Sequence, residues 1–129
     1  MKRFVFICLF MLAVQPALAG SGAIETKLYF GLSIAGGGRV SEQQWQSFVA
    51  GTVTPRFPDG LTIVKATGQW RDPRGKSSKV ISEPTRIVVI VHPETAAAAK
   101  AIGEIRQAYV KRFHQQSVLQ TDQQVNIVE

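Results

Sequence analysis

Cysteine occurs once in the 129 residues, at Cys8, inside an apolar stretch near the N-terminus. Beyond that stretch the chain has no thiol, so it can form neither a disulfide nor a thiolate site and must be held by its core. Histidine is almost as scarce. His92 and His114 are the only two, and neither has a carboxylate or second histidine at metal-ligand spacing. No apolar run reaches the roughly 20 residues that a membrane-spanning helix needs. Internal repeats, linkers and low-complexity tracts are also missing. Acidic side chains are few, 9 against 15 lysines and arginines, for a net charge of +6. That balance favours solubility and a loose attraction to anions, but it does not specify nucleic acid as a partner.

Two near-motifs fail on inspection. Gly75-Lys76-Ser77 has the ending of a phosphate loop, but Trp70 stands where the first glycine is required. Gly31-Leu32-Ser33-Ile34-Ala35 approaches a nucleophile elbow, but Ala35 replaces the closing glycine. Serine hydrolase chemistry is therefore not indicated, and no cofactor is expected.

The N-terminus has the form of a secretory signal peptide. Lys2 and Arg3 precede the apolar residues 4–14, and Ala17-Leu18-Ala19 supplies the small residues of a cleavage site. Gln15 and Pro16 interrupt the run before it could span a membrane, and Cys8 lacks the context of a lipoprotein signal. The expectation is cleavage after Ala19 and one domain over residues 20–129 in the periplasm or outside the cell. The mature chain then has 110 residues, with 13 basic against 9 acidic and a net charge of +4.

The remaining pattern predicts β-α-β-β-α-β. Residues 25–34 alternate, with Leu28, Phe30, Leu32 and Ile34 on one side and Lys27, Tyr29, Gly31 and Ser33 on the other. A glycine-rich turn follows. Ser41 and Gln44 then form a capping box for a helix whose apolar stripe is Trp45, Phe48, Val49 and Thr52, ended by Pro55. Residues 61–70 and 79–92 read as a hairpin around a polar loop, with a break expected near Glu83-Pro84. Residues 94–113 read as a helix with the stripe Ile102, Ile105, Tyr109 and Phe113, opened by Pro93 and Glu94. Residues 117–128 read as the last strand. This order predicts a ferredoxin-like α+β sandwich, a four-stranded antiparallel sheet with two helices on one face. The open face is expected to carry Tyr29, Val88, Ile90 and Trp70. That is too apolar for a plain solvated surface, so a homodimer through this face is expected.

The candidate ligand-binding residues are Arg39, Arg56, Asp59, Trp70 and Arg71. Arg39 follows three glycines before a helix. Arg56 and Asp59 lie in the turn Pro55-Arg56-Phe57-Pro58-Asp59-Gly60, where Arg56 can grip a carboxylate or phosphate. Trp70 can stack on a ligand with Arg71 beside it. Each also has a plain structural reading: a flexible connection, a turn-shaping ion pair, or interface packing. Arg71, Arg74, Lys76 and Lys79 make a basic loop without the row of aromatics that single-strand binders use. His92 is a candidate acid–base group at a strand end, with Tyr29 expected as its neighbour.

The segments Glu25-Thr26-Lys27-Leu28-Tyr29-Phe30-Gly31, Thr54-Pro55-Arg56-Phe57-Pro58-Asp59-Gly60-Leu61-Thr62, Gly68-Gln69-Trp70-Arg71, Val91-His92-Pro93-Glu94, Tyr109 to Phe113 and Ser117-Val118-Leu119 resemble, in this order, the bacterial domain-of-unknown-function family numbered 3574. The resemblance implies a small exported single domain and lends no reaction, so no catalytic residue is carried over. Two functions fit the residues. One is a binding or interaction module for a small anionic ligand or an envelope partner. The other is a small cofactor-independent enzyme of the dimeric α/β-barrel type, with His92 or Tyr29 moving a proton.

Overall fold

The computed structural model describes residues 22–71 and 79–128. The expected signal peptide and the tip of the basic loop, including Arg74 and Lys76, lie outside them. The described elements are β1 (Ala23–Gly31), α1 (Glu42–Phe48), a π-helical turn (Val49–Val53), β2 (Thr62–Arg71), β3 (Val80–Pro93), α2 (Ala96–Phe113) and β4 (Leu119–Val125). The strands form one sheet in the order β2-β3-β1-β4. Every neighbouring pair is antiparallel. With both helices packed on one face, this is the ferredoxin-like arrangement.

The alternation in β1 sets the layers. Thr26, Leu28 and Phe30 are fully buried under the helices. Phe30 is the centre of an aromatic core. Its ring lies 5.2 Å from Trp45 and 5.9 Å from Phe48 of α1, and 4.7 Å from Tyr109 of α2. Ser41 caps α1 through the expected box. Its hydroxyl accepts from Gln44 N at 3.1 Å and its own N–H donates to Gln44 Oε1 at 2.9 Å.

Four details differ from the sequence reading. First, Leu28 pairs with Val88 and Thr26 with Ile90. Opposed residues share a face, so Val88 and Ile90 are fully buried beneath the helices. Ile87, Val89 and Val91 take the open face instead. A strand that is β-branched throughout has no polar contrast to reveal its phase. Second, β3 runs unbroken through Pro84. Its carbonyl accepts from Leu32 N at 3.0 Å, so the missing donor falls on the β1 side, past the last β1 pair, and the β2 ladder loses nothing. Third, Thr54 N donates to Val49 O, five residues back, at 2.9 Å. This π turn shifts the buried position from Thr52 to Val53. Fourth, Pro93 stays paired with Ala23. Thr95 caps α2 in place of the expected Pro93-Glu94 start, accepting from Ala98 N at 3.1 Å.

Candidate functional site

A cleft of about 650 Å³ opens on the sheet face away from the helices. Its floor is built from the ends of three strands. Gly31 of β1 and Gly68 of β2 are bare because neighbouring side chains lie across them. A Cβ at Gly31 would sit 2.7 Å from Glu83 Oε1, and one at Gly68 would sit 2.7 Å from Thr85 Oγ1. Tyr29, Trp70, Ile81 and Leu119 supply the walls, and the segments 33–35 and 114–117 close one end.

Glu83 is held in place. Its Oε2 accepts from Ser33 N at 3.0 Å. Behind it, through the sheet, the Tyr109 hydroxyl donates to Gly31 O at 2.7 Å. Burial, and then the nearby Glu83 charge, push the Tyr109 phenol well above its usual range, so it remains a donor. Gln115 Nε2 donates to Ser33 O at 2.9 Å and ties the segment after α2 to the one after β1. His114 ends α2 in the left-handed conformation, with φ 52°. Glycine or asparagine usually fills that position.

The sequence candidates fall in different places. Tyr29 and Trp70 line the cleft. His92 lies on the opposite face of the sheet, buried, and is not a neighbour of Tyr29. This corrects the expected pairing: Ile24 is the residue opposite His92, and Tyr29 is an odd number of residues farther along β1. His92 Nε2 is 2.9 Å from Thr26 Oγ1, and Thr26 donates to Asp122 Oδ1 at 2.6 Å. Arg56 belongs to the helix layer. Its Nε reaches Glu104 Oε2 at 3.1 Å and its Nη1 donates to Thr52 O at 2.8 Å. Asp59 and Arg39 are exposed in their turns, and Arg71 ends β2 on the side opposite Trp70. None of these four lines the cleft. Sequence reasoning missed Glu83, Thr85 and His114. Counting outward by twos from Ile87 would have placed Thr85 and Glu83 on the face of Tyr29, had the phase of β3 been known. Among the described residues no group of His, Cys, Asp and Glu is clustered to hold a metal ion, and no helix is long and apolar enough to cross a membrane.

The family profile described as "Protein of unknown function (DUF3574)" matches residues 25–128. The chain belongs to the DUF3574 family. The match takes in both helices and all four strands of this DUF3574 domain apart from the first two residues of β1, and hence every described wall of the cleft. No curated protein matches the chain. Among solved structures, a phage SAM lyase in complex with S-methyl-5′-thioadenosine is similar, with TM-score 0.64 and 16% identity over 87% of this chain and 88% of that one. A phage SAM lyase in the apo state matches with TM-score 0.54 and 18% identity over 87% of each chain. At such identities the likeness is one of fold. It places the DUF3574 domain in the same architecture as a small protein that holds a nucleoside thioether.

Proposed function

We propose that this DUF3574 protein is a small-ligand-binding module and that its site is the cleft on the open sheet face. The observation that carries the reading is the floor. Two strand glycines let the side chains of Glu83 and Thr85 lie flat over the backbone, so polar groups form the floor of a cleft walled by the aromatic rings of Tyr29 and Trp70. Flat aromatic walls suit a heteroaromatic ligand. The fold likeness to a phage SAM lyase bound to S-methyl-5′-thioadenosine supports a ligand of nucleoside type. Arg56, committed to Glu104 in the helix layer, does not favour an anion-gripping role here.

The module is exported after cleavage at Ala19, to the periplasm or beyond. It pairs with a second copy through the exposed apolar residues of the open face. If the module catalyses a reaction, Tyr29 is the former acid–base candidate in position to act, since His92 faces the core.

The test is calorimetric titration of the purified protein with S-methyl-5′-thioadenosine and adenosine. Binding is expected, weakened about tenfold or more by Trp70→Ala, because stacking of a base on an aromatic side chain contributes roughly 1–3 kcal/mol. Binding that is unchanged in Trp70→Ala would remove the cleft as the site. Unchanged binding in Arg56→Ala is expected alongside.

A further inference from the structure

We infer that the cleft selects a ligand carrying a positive centre, held by Glu83. This rests on the small-ligand reading and adds the charge of the ligand to it. Three observations meet at Glu83. It is the only carboxylate among the described residues lining the cleft, and no lysine or arginine is among them. Its carboxylate is anchored by Ser33 N–H and lies across Gly31, so it is presented to the cleft without first having to be ordered. Tyr29 and Trp70 line the same cleft, and aromatic faces attract cations through their negative π-surface. A cleft lined by one anchored carboxylate and two aromatic side chains is poorly matched to a carboxylate or phosphate and well matched to a sulfonium, a quaternary ammonium or a protonated amine.

The neighbouring glycine strengthens the assignment. A methyl group at position 31 would collide with Oε1 at 2.7 Å. Bare backbone there is what allows the carboxylate to rest against β1 and hydrogen-bond one strand-end away. Thr85 Oγ1 occupies the matching place over Gly68, so the two glycines carry the two polar groups of the floor side by side.

The experiment uses a matched pair of probes, S-methyl-5′-thioadenosine and the dimethylsulfonium made from it by one S-methylation. They differ by one methyl group and one positive charge. Titration of the wild-type protein is expected to show the sulfonium binding about tenfold more tightly or better. Glu83→Gln keeps an acceptor for Ser33 N–H but removes the charge. It is expected to abolish that preference while changing thioether binding less than threefold. Thioether binding with no sulfonium preference overturns the inference and leaves the small-ligand reading standing. A preference that survives Glu83→Gln also overturns it, because the selectivity then lies elsewhere. If neither probe binds, the inference and the nucleoside form of the reading fall together. Circular dichroism of Glu83→Gln distinguishes loss of selectivity from loss of fold.

Discussion

Thr26 shows how much one buried hydroxyl can organise. It has a single proton, and the short contact to Asp122 Oδ1 at 2.6 Å directs that proton to the carboxylate. Its lone pairs then face His92 Nε2 at 2.9 Å, while His92 Nδ1 lies 2.8 Å from Pro93 O. The chain of contacts joins β3, β1 and β4 through the layer beneath the helices. Thr26→Val preserves shape and removes both bonds, leaving a buried ring nitrogen unpaired. The expected cost is about 1–3 kcal/mol, read from urea denaturation. Thr26→Ser is expected to recover most of it. A Thr26→Val protein as stable as the wild type would show that the network contributes nothing net. His92 illustrates the limit of reading chemistry from residue type: a strand-end histidine suits a cleft or a core equally, and the register, which sets it opposite Ile24, is what shows that it faces the core. The same ambiguity hid Glu83, whose neighbours in sequence give no sign that its carboxylate crosses to the adjacent strand.

Among the elements, α2 and β1 are coupled by the Tyr109 hydroxyl on Gly31 O, and this coupling has a pH signature. Burial raises the phenol's pKa in the folded state above its unfolded value. Stabilisation from the neutral phenol is therefore complete below the ordinary tyrosine range near pH 10, and it is lost as pH rises through that range toward the folded value. Tyr109→Phe removes both the hydrogen bond and the ionisation. At pH 7 it is expected to be less stable than the wild type by about 1 kcal/mol. Between pH 10 and 11 the deficit is expected to shrink, because only the wild type has the buried Tyr109 phenol, whose ionisation favours unfolding. Urea midpoints for the two proteins at pH 7 and pH 11 check this, and a constant deficit would place the phenol's titration outside the unfolding reaction. The order and kind of the elements were legible: the β1 alternation, the Ser41–Gln44 box and the Ile102–Ile105–Tyr109–Phe113 stripe each match what forms. What was not legible in β3 shares one cause. A proline inside a continuous strand and the phase of an all-apolar strand are decided by pairing with distant segments, and local pattern carries no record of that pairing.

For the whole molecule, the decisive feature is that the helices cover only one side of the sheet. On the other side Val64, Val91 and Leu119 remain 43%, 46% and 60% exposed, and Trp70 37%. The sequence pattern implied an apolar open face and misassigned its members in β3: Val88 and Ile90 belong to the core, so a charge placed at either would test folding and not association. Val64 is the right probe. It lies opposite Ile87 on the open face, next to the row that includes Tyr29, and it does not line the cleft. If a second copy covers this face, the purified protein sediments as a dimer at micromolar concentration. Val64→Lys is then expected to sediment as a monomer with unchanged circular dichroism, because two such charges meeting in an apolar interface are costly to desolvate. Ligand binding measured on that monomer extends the result to function. Affinity retained within threefold means the cleft is complete in one chain. Affinity lost with the fold intact means the partner supplies a wall. A wild type that is monomeric across the concentration range, or a Val64→Lys protein that still dimerises, rejects pairing through this face and leaves its apolar surface to the ligand and to a different protein.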